Sequence, residues 1–441
     1  MKRIGIALLL VISIQTVNSQ TTLKFDFGTE RTVNGYTAVT PATKYNNETG
    51  YGFDLGSEVQ AIDRGNDALT GDYITSNKPF YFSVKLPDGN YDVRLILGDT
   101  KGTSATTVRA ECRRLMLENV ITPNGKTVTK IFTVHVKDSM IRDEQKNIIS
   151  RVKLKSRENE YLHWDNLLTL EFNDSLPKVC AVEITPNTRA TTVFLAGNST
   201  VVDQNREPWA AWGQMIPRFF QPGIAIANYA ESGETMRAFK GERRLEKILS
   251  LAKRGDFLFI EFTHNDQKPG GNHLDPFTTY KQTIKEWIEE ARKKGMQPVL
   301  VTSMHRRNFD STGHIVNTLG DYPEAMRQTA IEEKVPLIDL NAMSKTLYEA
   351  WGPEKSLKAF VHFPANTFPG QDKALADNTH FSTYGAYELA RCVATGIMNS
   401  GTPLAFALYR NMLFDPAHPD AVEKFYWPMS GFVGTMKPDG N

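Results

Sequence analysis

Asp377 and His380 stand three residues apart in the segment Ala-Asp-Asn-Thr-His-Phe, near the C-terminal end of the chain. A carboxylate beside an imidazole can fix the tautomer of the ring and stabilise its protonated form, as the acid of a catalytic triad does. The spacing alone is weak evidence, because short motifs of this kind also occur in solvated loops. The hypothesis of catalysis therefore depends on a nucleophile elsewhere in the sequence.

Three other polar segments each follow a short apolar run. They are residues 197–200 (Gly-Asn-Ser-Thr), 228–233 (Asn-Tyr-Ala-Glu-Ser-Gly) and 263–266 (Thr-His-Asn-Asp). If the apolar runs are strands of an open parallel sheet, these segments follow the carboxyl ends of the strands, where such sheets bind ligands. The sequence thus predicts that a serine, an imidazole, a carboxylate and several amides meet at one edge of a sheet.

These four segments in this order resemble those of the GDSL-type (SGNH) hydrolases, and within them the rhamnogalacturonan acetylesterase-like carbohydrate esterases. The resemblance covers roughly residues 190–400 and includes the Tyr384-Gly385-Ala386 that follows His380. It implies that Ser199 attacks an ester carbonyl, that His380 carries the proton and that Asp377 orients the ring. The oxyanion would be bound by the backbone amides of Ser199 and Gly233 and by the side-chain amide of Asn265.

Each of these residues also has a purely structural interpretation. Ser199 could cap a following helix, Gly233 could serve only a turn, and Asn265 could form an Asx turn. Asp377 and His380 could be a loop carboxylate and a residue at the start of a helix. The joint order of the segments favours catalysis over these separate alternatives.

Two positions depart from the family pattern. Asn198 stands where an Asp usually precedes the nucleophile, and Thr263 stands where a Gly usually precedes His-Asn-Asp. Asn keeps the hydrogen-bonding capacity of Asp but removes its charge. The departures bear on rate and substrate rather than on the type of reaction.

Substrate contacts are predicted at His264 and at Arg237, whose guanidinium could bind a uronate carboxylate in a bidentate manner. His264 could instead orient the loops, and Arg237 could be an exposed helix charge. Trp209 and Trp212 could stack on a sugar, although their spacing also suits core positions.

Residues 20–187 carry the alternating pattern of β-strands without a long amphipathic helix between them. The segments 80–86 and 91–97 flank Pro87-Asp88-Gly89-Asn90, which predicts a β-hairpin. Many short strands separated by turns predict an all-β sandwich, and this half also resembles galactose-binding-type domains. Such a domain could bind carbohydrate, or it could only brace the second half.

Residues 188–441 alternate short apolar runs with helical patterns, which predicts a three-layer α/β domain with a five-stranded parallel sheet. The strands are expected near 192–196, 224–229, 257–262, 298–302 and 336–340. The clearest helix is expected at 276–294, and a last helix at 383–398. One apolar face of the first is marked by Phe277, Tyr280, Ile284, Trp287, Ile288 and Ala291. The aromatic, proline-interrupted tail after residue 400 could wrap over the catalytic half or complete its cleft.

Composition limits the remaining possibilities. The 441 residues carry a formal net charge of +1, so neither a nucleic acid nor an anionic membrane is an expected partner. Residues 1–19 have a basic start and a short apolar run, which predicts a signal peptide and a secreted or periplasmic protein rather than membrane insertion. No CxxC or HExxH motif occurs, and no metal or other cofactor is predicted.

The three cysteines do not form a disulfide framework. Cys392 is expected in the core, whereas pairing of Cys112 with Cys180 is left open. Asn198-Ser199-Thr200 is also an N-glycosylation sequon, and a glycan there would bury the proposed nucleophile. A catalytic Ser199 therefore favours a bacterial source.

The sequence thus predicts an exported serine esterase whose partner is an acetylated plant cell-wall polysaccharide or oligosaccharide, such as rhamnogalacturonan. The alternatives are a non-catalytic carbohydrate-binding protein, and an esterase that acts on a methyl ester or on acetyl groups of another glycan.

Overall fold

A computed structural model describes residues 21–65, 67–410, 414–434 and 436–439. The predicted signal peptide, residues 1–19, lies outside the described residues.

The N-terminal half is built from two β-sheets. One is seven-stranded, with the main order β10-β7-β14-β1-β2 and with β5 joining β4 to β14; the other is five-stranded, with the order β3-β6-β13-β8-β9. A separate hairpin joins β11 to β12. The strands are β1 (Leu23–Phe27), β2 (Thr37–Val39), β3 (Tyr51–Asp54), β4 (Gln60–Asp63), β5 (Asp72–Thr75), β6 (Phe80–Lys85), β7 (Gly89–Gly98), β8 (Ser104–Ala110), β9 (Arg114–Thr122), β10 (Thr127–Val136), β11 (Met140–Arg142), β12 (Ile148–Arg151), β13 (Leu167–Leu176) and β14 (Lys178–Pro186).

The two sheets pack face to face around an aromatic core. Phe27 on the first sheet meets Phe82 on the second in an edge-to-face arrangement, with ring centroids 4.8 Å apart. Such a pair contributes about 0.5–1.5 kcal/mol beyond its buried area. The predicted all-β sandwich is therefore confirmed.

The predicted hairpin between residues 80 and 97 is wrong in its pairing. Both strands form, but β6 pairs with β3 and β13, whereas β7 pairs with β10 and β14 in the other sheet. The turn after Lys85 carries the chain from one sheet to the other. Because alternation has the same period in either case, the sequence could not tell a hairpin from this crossing.

The C-terminal half holds a five-stranded parallel sheet in the order β16-β15-β17-β18-β19. All five predicted strands form, and the last predicted helix is confirmed as α7. Its elements are β15 (Thr191–Gly197), α1 (Trp212–Met215), β16 (Ile224–Asn228), α2 (Met236–Gly241), α3 (Arg244–Leu251), β17 (Phe257–Glu261), α4 (Lys281–Lys293), β18 (Gln297–Val301), α5 (Tyr322–Glu333), β19 (Leu337–Ile338), α6 (Leu340–Lys355), β20 (Phe360–Phe363), β21 (Leu375–Phe381) and α7 (Thr383–Asn399).

The structure also contains short helical turns. They are the 3-10 turns Ser156–Glu160, Ile216–Phe219, Ser356–Lys358, Pro403–Ala407 and Val422–Lys424, and the wide turn Pro276–Tyr280.

Helices cover both faces of the parallel sheet. In β15, Val193 and Leu195 pack with residues of α1, α6 and α7, whereas Phe194 and Ala196 pack with residues of α2 to α5. Alternate side chains of one strand thus serve two apolar layers, as expected for a strand that is buried on both faces. The predicted three-layer domain is confirmed.

Helix α4 shows how well a helical period predicts burial. Tyr280, Ile284, Trp287, Ile288 and Ala291 are buried as predicted. Phe277 was expected on the same face, but its side chain is 47% exposed. Phe277 lies in the wide turn before α4, so it does not follow the phase of the helix.

The three cysteines are buried free thiols, and Cys392 lies in α7 among core residues as predicted. Within the described ranges, no helix has the length and apolarity needed to cross a bilayer. The same residues contain no group of metal-ligating side chains.

Candidate active site

Ser199 follows the carboxyl end of β15. Its side chain is 2% exposed, and its backbone oxygen accepts a hydrogen bond of 2.9 Å from Gln204 Nε2. The backbone amides of Val201 and Val202 both donate to the oxygen of Asn198, which holds the loop in a tight turn. The next helix begins only at Trp212, so Ser199 does not cap a helix.

Asp377 and His380 both lie in β21, so they are neither a loop carboxylate nor a residue at the start of a helix. The pairing of β21 with β20 moves from Asp377 opposite Val361 to Phe381 opposite Phe360, which leaves residues 378–380 in a wide bulge. In this bulge Asp377 Oδ1 accepts hydrogen bonds from the amides of Thr379 and His380, at 2.8 and 3.0 Å. The bulge therefore brings together two side chains three residues apart, which a regular strand would point to opposite faces.

The three predicted catalytic side chains meet. Ser199 Oγ is 2.9 Å from His380 Nε2, and His380 Nδ1 is 2.7 Å from Asp377 Oδ2. Because the carboxylate can only accept, the proton of neutral His380 belongs on Nδ1, and Nε2 is left to accept the hydroxyl proton of Ser199. This is the arrangement that general-base activation of a serine requires.

Electrostatics favour the ionised form of Asp377. Burial pushes the pKa of Asp377 upward, but the hydrogen bonds from the His380 imidazole and from the two backbone amides hold it well below its usual range. Lys437 Nζ lies 3.6 Å from Asp377 Oδ2 and adds a positive charge beside it. The carboxylate of Asp377 therefore stays charged at neutral pH.

Three predicted oxyanion donors belong to neighbouring loops. Gly233 has φ +81°, in the left-handed region that favours glycine. Among the described residues, the backbone amides of Ser199 and Gly233 donate to no protein acceptor. Asn265 Nδ2 donates to Glu234 O at 3.0 Å, which ties Asn265 to the loop of Gly233 and leaves its second amide hydrogen for an oxyanion. Their role in binding an oxyanion stays a prediction.

The predicted substrate residues differ in position. His264 is buried, and burial, with Arg306 and His380 nearby, lowers its pKa well below the ordinary value, so it is neutral. Arg237 is exposed on α2, where its guanidinium donates to Gly271 O at 3.0 Å. Contact of either residue with substrate stays a prediction.

The two departures from the family pattern are both buried. Asn198 Oδ1 accepts hydrogen bonds from the amide and the hydroxyl of Thr200, at 3.1 and 2.9 Å. Thr263 Oγ1 lies 3.2 Å from the hydroxyl of Tyr280. Both side chains therefore organise the loops next to the site.

Glu261, at the end of β17, is a site residue that the sequence analysis missed. One carboxyl oxygen accepts a hydrogen bond from Trp212 Nε1 at 2.6 Å, and the other lies 3.0 Å from Thr200 Oγ1. Burial raises the pKa of Glu261 to about 7. Trp212 is thus a core residue and not a sugar platform. An acid that ends an otherwise apolar strand was the available signal.

The loop of Gly233 is held by residues from the N-terminal half that carried no local signal. Lys155 Nζ and Arg157 Nη2 donate to Ser232 O, at 2.7 and 2.8 Å, and Arg157 also pairs with Glu231 at 2.8 Å. The partners are more than 70 residues apart in sequence, beyond the reach of any spacing rule.

A cavity of about 480 Å³ opens beside these loops. It is lined by Tyr161, Gln204, Arg206, Trp209, Ser232 and Lys437, among others. Gln204 reaches Ser199 and Lys437 reaches Asp377, so the cavity adjoins the proposed catalytic side chains.

Comparison with known proteins finds relatives of both halves of the chain. Residues 195–386 match the GDSL-like lipase/acylhydrolase family, and residues 23–152 match the β-agarase/YxiM esterase-like, galactose-binding domain-like family. Rhamnogalacturonan acetylesterase RhgT of Bacillus subtilis (strain 168) is 47% identical over 214 residues, covering 48% of this chain and 91% of that protein.

A second relative spans both halves of the chain. The uncharacterized esterase YxiM of Bacillus subtilis (strain 168) is 26% identical over 396 residues, covering 86% of this chain and 91% of that protein. The X-ray structure of YxiM covers 87% of this chain and 99% of its own, with 25% sequence identity and a TM-score of 0.45.

The fold, the site and these matches define a carboxylic-ester hydrolase. The chain belongs to the GDSL-like lipase/acylhydrolase family and carries an additional galactose-binding-like domain at its N-terminal side.

Proposed function

We propose that this protein removes O-acetyl groups from an acetylated pectic polysaccharide of the rhamnogalacturonan type, by a Ser-His-Asp mechanism. The observation that carries the mechanism is the chain of hydrogen bonds from Ser199 Oγ through His380 to Asp377. The substrate class is supported by the relative named rhamnogalacturonan acetylesterase, which is 47% identical to the catalytic half.

In the first half-reaction, Ser199 Oγ attacks the acetyl carbonyl carbon while His380 Nε2 takes the hydroxyl proton. The negative charge that develops on the carbonyl oxygen is met by the amides of Ser199 and Gly233 and by Asn265. The intermediate collapses to an acetyl-serine, and His380 gives its proton to the departing sugar oxygen. One oxyanion donor typically contributes about 2.7–4 kcal/mol to lowering the barrier.

In the second half-reaction, His380 removes a proton from water, which attacks the acetyl-serine. The second tetrahedral intermediate releases acetate and returns the proton to Ser199. Asp377, whose pKa lies well below its usual range, stays ionised and stabilises the imidazolium formed in both halves.

The proposed location is outside the cytoplasm, in a secreted or periplasmic form. The basic and apolar pattern of residues 1–19 supports export, which suits an enzyme that acts on cell-wall polysaccharides too large to enter a cell.

Substitution of Ser199 tests the mechanism. We expect Ser199→Ala to reduce acetate release from acetylated rhamnogalacturonan by roughly 10⁴-fold or more, because the hydroxyl is the attacking group. Acetate is measured by coupled assay, and 4-nitrophenyl acetate serves as a simple ester. Ser250→Ala, a change at a serine that donates to Lys247 O in α3, is the matched control.

If Ser199→Ala keeps the activity of the unchanged enzyme, Ser199 is not the nucleophile. If the unchanged enzyme hydrolyses 4-nitrophenyl acetate but not acetylated rhamnogalacturonan, the substrate proposal is wrong, and a panel of acetylated and methyl-esterified glycans identifies the alternative. Saturable glycan binding without turnover of either ester would instead support a non-catalytic binding protein.

A further inference from the structure

The C-terminal tail crosses from the N-terminal sandwich to the catalytic side chains. Gly431 N donates to the hydroxyl of Tyr81 in β6 at 3.1 Å, and Ser430 Oγ donates to Glu171 in β13 at 2.8 Å. Further along, Glu207 N donates to Phe432 O at 2.8 Å, and Gly434 N donates to Glu207 O at 2.9 Å. The tail is thus bound along its path and enters the site in a defined position.

The last described residues of the tail lie between Asp377 and Gly233. Lys437 Nζ is 3.6 Å from Asp377 Oδ2, and Asp439 forms an ion pair with Arg157. A Cβ added at Gly233 would lie 3.2 Å from Asp439 Cβ, so the tail is packed against the loop of the proposed oxyanion donor. The tail therefore forms a wall of the catalytic cleft.

The cavity of about 480 Å³ described above has the tail as one wall, with residues 434 and 436–439 among its lining. Arg206 lines the cavity from the loop opposite the tail. Its Cδ lies 2.6 Å from the position of a Cβ added at Gly434. The cavity is formed where the tail meets the segment that continues from Ser199.

The side chains of this cavity include donors that have no protein acceptor. Arg206 is exposed, and within the described ranges its guanidinium makes no hydrogen bond or ion pair. Trp209 is 3% exposed, yet its indole N–H meets no acceptor in the same part of the chain. Of these two donors, the guanidinium of Arg206 is the one that is open to a ligand in the cavity.

The cavity is lined by charges of both signs. Arg157, Arg206 and Lys437 contribute positive charges, and Glu160 and Asp439 contribute negative ones. Asp439 is neutralised by Arg157, which also pairs with Glu231. The guanidinium of Arg206 is left as the planar donor that suits a carboxylate.

We propose that this cavity is a subsite for a hexuronic acid residue of the glycan, with Arg206 as the ligand of its carboxylate and Lys437 as a second positive charge. The inference rests on the proposed function, since it places this sugar next to the residue that carries the acetyl group. The tail makes the subsite by supplying Lys437.

The test compares two substrates that differ only in the group at C6 of their uronic acid residues, a carboxylate in one and a neutral hydroxymethyl group in the other. One is an acetylated oligosaccharide with intact uronic acid carboxylates, and the other is the same oligosaccharide after carboxyl reduction. We expect Arg206→Met in the full-length protein to lower the ratio of kcat/KM between the charged and the reduced substrate about tenfold, as the loss of one charge-assisted hydrogen bond predicts. Arg206→Lys restores part of the ratio.

The matched control is Arg189→Met, at an exposed arginine before β15 and thus at the far end of the strand that leads to Ser199. We expect Arg189→Met to keep the ratio of the unchanged enzyme. The preference for the charged substrate also weakens as salt increases in the unchanged enzyme, and less so in Arg206→Met. Equal losses on both substrates in Arg206→Met, or no loss on either, would overturn the subsite.

Equilibrium binding separates this inference from the proposed function. Calorimetry with a non-acetylated oligogalacturonide measures the subsite without any turnover. Binding about tenfold weaker in Arg206→Met than in the unchanged protein supports the subsite even if no ester is hydrolysed. Equal binding by the two proteins refutes the subsite, even if the esterase activity is established.

Discussion

At the scale of single residues, the site depends on how Asp377 uses its two oxygens. Oδ1 accepts hydrogen bonds from the backbone amides of Thr379 and His380, and Oδ2 accepts one from the imidazole of His380. The carboxylate therefore positions both the ring and the backbone that carries it. The Asp-x-x-His spacing predicted the pair, whereas the bulge that makes this geometry was not visible in the sequence.

A prediction at this scale concerns Glu261, whose pKa is raised by burial to about 7 from the ordinary 4.5. Between these pH values the folded protein holds the proton and the unfolded chain does not, so the free energy of unfolding falls as the pH rises through this window. In Glu261→Gln the side chain cannot ionise, so we expect the free energy of unfolding not to fall in this window. Relative to the unchanged protein, the free energy of unfolding of the variant therefore rises by on the order of 3 kcal/mol between pH 4.5 and 8.

The measurement is the thermal unfolding midpoint of both proteins at pH 5 and pH 8. Glu246→Gln, which makes the same change at a half-exposed carboxylate of α3, is the matched control. Parallel pH profiles for the unchanged protein and Glu261→Gln would show that Glu261 does not titrate in this range.

At the scale of elements, the loop of Gly233 is held from outside its own domain. The 3-10 turn Ser156–Glu160 presents Arg157 to Glu231 and to Ser232 O, and Lys155 donates to the same oxygen. The loop that carries a proposed oxyanion donor is therefore fixed by the N-terminal half. Fixing this loop is a role for the N-terminal half that needs no sugar binding.

We predict that Arg157→Met lowers kcat by between about tenfold and a hundredfold with little change in KM for 4-nitrophenyl acetate, because a small displacement of a catalytic donor is costly. Arg157→Lys, which keeps the charge, recovers part of the loss. Arg142→Met is the matched control, since Arg142 also pairs with an acid and its side chain is 30% exposed against 33% for Arg157. A change in KM alone would contradict this positioning role.

At the scale of the whole molecule, the two halves share buried groups. Arg114 of β9 is buried and pairs with Asp203 at 2.8 Å, and Arg113 donates to Gln204 O and Trp209 O at 3.1 and 3.0 Å. Leu115 joins the apolar core of the α/β half. The segment 203–209, which continues from Ser199 to the cavity, thus depends on the sandwich for its charge partners.

We predict that Arg114→Met destabilises the protein by about 3–5 kcal/mol, because it leaves Asp203 buried without its positive partner. The control is Arg218→Met. Arg218 pairs with Glu118 of the same strand β9, but both side chains are about one quarter exposed, so the loss is at most about 1 kcal/mol. Differential scanning calorimetry measures both variants, and equal shifts would show that the buried pair has no special importance.

The fold class, the five parallel strands and the meeting of Ser199, Asp377 and His380 at one edge of the sheet were predictable from the amino-acid sequence. This was possible because side-chain periods of two and 3.6 residues reflect local backbone geometry, and because strand ends in a parallel sheet share one edge. Polar residues at those ends were therefore predictable neighbours. Their catalytic roles await the test of Ser199→Ala.

The tertiary structure alone decided how the pieces pair and what surrounds the site. It placed β6 and β7 in different sheets, brought Arg157 to the loop of Gly233, and laid Lys437 beside Asp377. These partners are tens to hundreds of residues apart in sequence. No local period encodes such contacts, because they result from the packing of two domains and a tail whose relative positions depend on the whole fold.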